Sequence, residues 1–375
     1  MTDMIKLGDV ATYINGYAFK PEDRGEVGLP IIRIQDLTGN AYDLGFYDGE
    51  YPEKIEINDG DVLISWSASL GVYVWNRGKA LLNQHIFKVA FDKAEIDKNY
   101  FVYAVRQKLD EMGMKTHGAT MKHIVKKDFD ATQIPYPSLR EQTQIAANLD
   151  KISKIITARK RELQLLDDLI KARFVEMFGD LRTNTKGWNI KTFDELAYLI
   201  TDGEHATPKR TTEGIFLLSA RNILNHSLQL ADVDYIDQEE YDRIAKRVVP
   251  KEGDVLISCS GSIGRCCSVP ADIKFQMVRS AALIRFKEKI KPIFAEYMIT
   301  SDYLQEQINS SKTASSQANL FQGKIRALKG FAPPIELQNE FEVFARQVDK
   351  SKLLVQKSLD ETQVLFNSLM QKYFG

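Results

Sequence analysis

At 375 residues, with 44% apolar and 27% charged side chains, the chain has the composition of a globular protein long enough for two cores, and no apolar run approaches the ~18 residues that span a bilayer. It opens Met1-Thr2-Asp3 without the basic and apolar stretches of a secretory signal, so a cytoplasmic location with no membrane partner is expected. The net charge of −1 excludes little, because nucleic-acid binding needs only a locally basic face, whereas three cysteines without a CxxC pair (Cys259, Cys266, Cys267) argue against a disulfide framework and a zinc site and predict reduced thiols.

Taken in chain order, the sequence repeats itself. IKLGDVATYI (5–14) returns in pattern as IKTFDELAYLI (190–200), and GLPIIRIQDL (28–37) as GIFLLSARNI (214–223). GDVLIS at 60–65 recurs letter for letter at 253–258, followed both times by a serine-rich turn, SWSASLG (65–71) and SCSGSIG (258–264). Each copy continues through an apolar stretch ending at Phe91 or Phe286, a helical stretch (100–112 or 293–308), a polar Thr/Ser-rich loop (115–124 or 312–325) and a proline pair, PYPSL (135–139) or APPIEL (332–337). Short strands are expected near 31–34, 61–65, 72–75 and 80–91, and a helix near 98–112, with equivalents in the second copy. Self-similarity on this scale predicts an α+β chain of two mixed α/β modules, 1–138 and 181–335, separated by a central helix, 139–180, and closed by a C-terminal helix, 336–375. The first module is slightly acidic and the second slightly basic.

The two helical stretches share a heptad pattern. From Leu139 to Phe178 there is no Pro or Gly, and Ile145, Leu149, Ile152, Ile156, Leu163, Leu166, Ile170 and Met177 fall at steps of three and four, or of the seven to which these sum. The C-terminal stretch repeats this with Phe341, Phe344, Val348, Val355, Leu359, Phe366, Leu369 and Tyr373, with Thr362 as a tolerated polar position. Gly179 and Gly375 stand where a helix stop belongs. Each helix should extend on the order of 55 Å at ~1.5 Å per residue. Because the second module intervenes, the return path predicts an antiparallel coiled coil, with Arg159, Lys160 and Arg161 on a solvated face.

This arrangement closely resembles the specificity subunits of Type I restriction-modification systems, over essentially the whole chain. The residues that carry the resemblance are GDVLIS with its SGSIG-like turn, TDGEHATP (201–208), HGATMKHI (117–124) and QIPYPSLREQTQIAANL (133–149). The copies depart from one another where INGYAFK (14–20) stands in place of TDGEHATP, and SSQAN (315–319) in place of GATMK. The resemblance implies that each module is a target recognition domain reading one half of a split sequence in double-stranded DNA. It implies further that the helix pair sets the unread spacer and docks methyltransferase subunits, two in number, alongside motor-nuclease restriction subunits. S-adenosylmethionine is then expected on the partner methyltransferase, and no cofactor in this chain.

The residues point to a chain that binds rather than reacts. There is no Asn-Pro-Pro-Tyr or Asp-Pro-Pro-Tyr turn, and the nearest approach to a P-loop, GSIGRCCS (261–268), lacks its lysine. The five histidines (85, 117, 123, 205, 226) show no metal-ligand spacing, and there is no GxSxG elbow. Ser-, Thr-, Asn- and Gly-rich loops suit a duplex surface. The candidates for DNA contact are Tyr17, Ser67, Ser69, Thr120 and Lys122 in the first module, and His205, Thr207, Ser260, Ser262, Arg265, Gln317, Asn319 and Lys324 in the second. Such turns also occur as plain hairpin loops. Trp66, Trp75 and Phe87 read as core. The alternative is a duplicated coiled-coil scaffold for protein assembly with no nucleic-acid role.

Overall fold

The structure, a computed structural model, describes residues 3–39, 43–115, 124–310 and 319–375. Its contacts divide the chain into two units, Met1–Lys160 with Lys357–Gly375, and Arg161–Gln356. Each unit holds one module and part of both long helices.

The shared GDVLIS explains itself residue by residue. Gly60 and Gly253 adopt φ of 91° and 82°, a left-handed turn that a side chain would strain. Asp61 and Asp254 close that turn, their carboxylates accepting from the N–H of Asn58 and of Lys251, both at 2.8 Å. Each aspartate also meets a cation on the neighbouring strand, Lys88 at 3.0 Å and Arg285 at 2.7 Å. The strands Val62–Ser65 and Val255–Ser258 follow, buried at every position. A strand covered on both faces needs a continuous apolar run rather than alternation. The closing serine is a latch: Ser65 Oγ donates to Ser69 O at 2.5 Å, and Ser258 Oγ to Ser262 O at 2.7 Å, tying the turn back onto the strand.

Around this strand the modules repeat one topology. An antiparallel sheet in the first runs Thr12–Asn15, Ile86–Ala90, Val62–Ser65, Gly71–Val74; in the second it runs Ala197–Asp202, Ala281–Phe286, Val255–Ser258, Cys266–Ser268. A second sheet pairs Leu29–Ile32 in parallel with Ala80–Leu82, and its counterpart pairs Ile215–Leu218 in parallel with Phe275–Met277. Entry is tied to exit by short antiparallel pairs, Met4–Lys6 with Gln133–Pro135 and Lys191–Thr192 with Lys329–Gly330.

Three local expectations are corrected. The stretch 80–91 is two strands in two sheets, because Asn83, Gln84 and His85 interrupt it, with His85 at φ 71°. The strand expected at 31–34 ends at Ile32; Asp36 accepts from the Arg33 N–H at 2.8 Å and opens a short helix, Ile34–Thr38. The first module's helix, Lys98–Lys115, is continuous, but its counterpart breaks into Pro292–Thr300 and Asp302–Ser310. Ser301 is extended there, and its hydroxyl bonds back to Met298 O at 2.6 Å, competing with the helix ladder.

The long helices span Leu139–Phe178 and Ile335–Phe374, 40 residues each. In the first unit Ala146 and Leu149 share a core with Met370 and Phe374. In the second, Ile170 and Phe174 share one with Phe341, Ala345 and Val348, and Lys352 pairs with Asp167 at 2.6 Å. Within each unit the start of one helix meets the end of the other, so the two run antiparallel. Among the seam residues, Leu149, Ile156, Ile170, Val348, Val355 and Leu359 are buried, and Ile145, Ile152, Leu163, Leu166, Phe366 and Leu369 half-buried. Lys160 and Arg161 are exposed, and Arg159 is half-buried. The fold is α+β, two mixed α/β modules joined by two long antiparallel helices. Among the described residues no helix is long and apolar enough to cross a membrane.

Candidate nucleic-acid interface

In each module four polar segments are bonded to one another: the loop after the first sheet strand, the crossing between sheets, the turn after GDVLIS, and the end of the polar loop. The bonds are the same in both copies. Gln84 N–H donates to Tyr17 O at 2.9 Å, as Arg279 N–H does to Glu204 O at 3.0 Å. Trp66 N–H donates to His85 O at 3.3 Å, and Cys259 N–H to Ser280 O at 2.8 Å. Ile124 N–H donates to Trp66 O at 3.0 Å, and Leu320 N–H to Cys259 O at 2.8 Å. Gly16 and Gly203 permit the approach, since a Cβ there would lie 2.0 Å from Asn83 O and 2.3 Å from Met277 O.

The frame is shared; its side chains are not. In the first module Tyr17 is exposed and sits edge-on to Phe19 at 5.0 Å, which sits edge-on to Tyr47 at 5.1 Å. Ser69 and Gln84 are exposed and Ser67 half-buried. In the second module Ser260 lines two adjoining hollows of about 460 and 430 Å³. His205, Arg279 and Asn319 line the first, and Arg221, Ser262 and Arg265 the second. Asp202 is occupied by His205 Nε2 at 2.7 Å and by Arg247. Arg221 and Arg210 are both held by Asp234, at 2.9 and 3.0 Å. Among the described residues the side chains of Arg265, Arg279 and Lys324 have no partner, which leaves three cations available to a polyanion.

The structure therefore brings His205, Ser260, Ser262, Arg265 and Asn319 together. Thr207 is exposed beyond both hollows, and Lys324 is exposed on the helix Gln322–Ala327. Tyr17, Ser67 and Ser69 belong to the first module's frame. Thr120, Lys122 and Gln317 lie outside the described residues. Trp75 and Phe87 are buried, and Trp66 is half-buried against Phe87 and His85. Sequence reasoning missed Gln84, Arg279 and Ser280 because it ran one strand through 80–91. The signal was present: polar NQH and VRS interrupt the apolar runs ALLNQHIFKVA and FQMVRSAALIRF at the same place. The cysteines are free and buried. Burial pushes the thiols of Cys259 and Cys267 up to about 12 and that of Cys266 well above its ordinary value, so they are neutral hydrophobes rather than nucleophiles.

One backbone frame presented twice with different exposed side chains defines a protein that recognises two unlike parts of a target. Residues 2–166 match the family described as the Type I restriction modification DNA specificity domain. The chain is 25% identical over 408 residues to the Type I restriction enzyme EcoBI specificity subunit of Escherichia coli, with 99% of this chain and 85% of that one covered. It is 20% identical over 388 residues to the Type I restriction enzyme MjaVIII specificity subunit of Methanocaldococcus jannaschii, with 98% and 91% covered. Among solved structures it is similar in fold to the Type-I restriction-modification system S subunit from M. genitalium, at a TM-score of 0.57 and 14% identity, with 100% and 96% covered. Over nearly its whole length the chain is similar to specificity subunits of Type I restriction-modification systems, and residues 2–166 carry the DNA specificity domain of that family. Its work is sequence-specific DNA recognition, and it is not a catalytic subunit. A scaffold without a nucleic-acid role is not favoured.

Proposed function

We propose that the module in 1–138 and the module in 181–335 each read one half of a bipartite site in double-stranded DNA, in the cytoplasm, and that the helices in 139–180 and 336–375 set the spacer and dock the partners. The observation that carries this is the pair of matching frames whose backbone bonds coincide while the side chains they carry differ, Tyr17 against Glu204 and the exposed Gln84 against the exposed Arg279. Contact with DNA falls to Tyr17, Ser67, Ser69, Thr120 and Lys122, and to His205, Thr207, Ser260, Ser262, Arg265, Gln317, Asn319 and Lys324. Hydroxyls and cations among them meet phosphates, and amide and guanidinium forks meet base edges. The partners are two methyltransferase subunits, which carry S-adenosylmethionine, and motor-nuclease subunits; this chain needs no cofactor. Co-expression with the modification subunit should give adenine methylation at one bipartite motif in methylome sequencing. A continuous motif, or methylation independent of this chain, would defeat the proposal.

A further inference from the structure

The crossing between the two sheets places one exposed residue per module at an equivalent point, Gln84 in the first and Arg279 in the second. Each is rooted by its own N–H, bonded to Tyr17 O or to Glu204 O, so the side chain starts from a fixed point. Neighbouring residues are committed to the frame. Asn83 Oδ1 accepts from the Gln84 N–H at 2.8 Å, and the His85 ring lies 4.9 Å from that of Trp66. Ser280 Oγ accepts from the Ala220 N–H at 3.1 Å, and Val278 N–H bonds to Leu218 O at 2.9 Å. The carboxylates of Glu204, whose carbonyl holds the Arg279 N–H, and of Asp202, which lines the same hollow as Arg279, are also engaged, Glu204 with the Ala206 N–H at 2.9 Å and with Arg243 at 3.6 Å, and Asp202 with His205 and Arg247. Among the described residues neither the Gln84 nor the Arg279 side chain has a partner.

What these two side chains share is geometry and not charge. Both end in a planar fork that makes two parallel hydrogen bonds, and only one is a cation. A phosphate accepts from either side chain and needs no fork, whereas the paired acceptor and donor atoms of a base edge call for the fork that both positions share. In the major groove the amide fork matches N6 and N7 of adenine, and the guanidinium fork matches O6 and N7 of guanine. We infer that positions 84 and 279 are equivalent base-reading positions, Gln84 selecting an adenine in the half-site of the first module and Arg279 a guanine in the half-site of the second. This rests on the reading that each module takes one half of a bipartite target.

The test uses the full chain assembled with its modification subunits, carrying Arg279→Gln, Arg279→Ala or Gln84→Arg, with methylome sequencing and binding to duplexes varied one base pair at a time. Arg279→Ala should relax a single G·C position in one half-site by roughly 5- to 150-fold, with the other half-site and the spacer unchanged. Arg279→Gln should shift that position towards A·T, and Gln84→Arg should shift one A·T position of the opposite half-site towards G·C. An unchanged motif overturns the inference. So does an equal loss across all duplexes with a shallower salt dependence, which marks a phosphate contact. Gln84→Arg lies in the other module and decides the matter even if an Arg279 variant fails to assemble. Failure of the unsubstituted complex to methylate any bipartite motif would strike the underlying reading instead, and is scored separately.

Discussion

The turn after GDVLIS needs a left-handed residue at its third place after the strand, filled by Gly261 at φ 68° in one module and by Ala68 at φ 56° in the other. Nothing crowds Gly261, so an alanine there would suffer backbone strain alone. Gly261→Ala should lower stability by about 1 kcal/mol, and Ala68→Gly should leave it level or raised, as measured by urea unfolding of the assembled complex. Equal losses from both would show that the conformation is not strained. The cysteines give a second residue-scale expectation. With Cys259 and Cys267 held near 12 when folded and near 9 when exposed, only the unfolded thiols ionise above pH 9. Their contribution to stability is complete below pH 9 and is lost as pH rises from 9 towards 12. The urea midpoint should fall across that window, less steeply in Cys259→Ala and Cys267→Ala. At pH 8 a thiol-reactive dye should label none of the three before unfolding and all three after it.

At the scale of elements, the helix seam and the helix surface should respond differently to the same change. Leu149 is fully buried against the first module, whereas Leu353 is 71% exposed. Leu149→Ala should cost roughly 2–5 kcal/mol, and Leu353→Ala should stay within about 0.5 kcal/mol, in the same unfolding measurement. A comparable loss at both would place the seam on the wrong face. The long helices were legible because 40 residues without Pro or Gly, with apolar steps of three and four, admit few other structures. The shared frame was legible in GDVLIS, since its glycine, aspartate and serine are each required by the turn they make. What the sequence hid was tertiary in origin. A short apolar run has no period that separates one strand from two, so the exchange of sheets at Asn83–His85 and at Val278–Ser280 passed unread. The break at Ser301 comes from one hydroxyl competing with a backbone ladder. Gln84 and Arg279 were missed for the first of these reasons, because their place is defined by bonds to distant Tyr17 and Glu204 rather than by neighbours in sequence.

For the whole molecule, the decisive expectation concerns distance. Both crossings between the two units, at 160/161 and 356/357, fall inside long helices, so length can be added there without touching either reading frame. Seven residues restore the phase of a heptad seam and add about 10 Å at 1.5 Å per residue, close to three base pairs at ~3.4 Å each. Inserting one heptad at both crossings should therefore lengthen the unread spacer by about three base pairs and leave both half-site sequences as they were, read by methylome sequencing of cells carrying the modified chain and its modification subunits. Five residues at each crossing would instead rotate the seam away from its partner and should abolish assembly. An unchanged spacer with the paired heptads would remove the helices from the role of spacing element, and altered half-sites would show that the modules do not read independently of the segment between them.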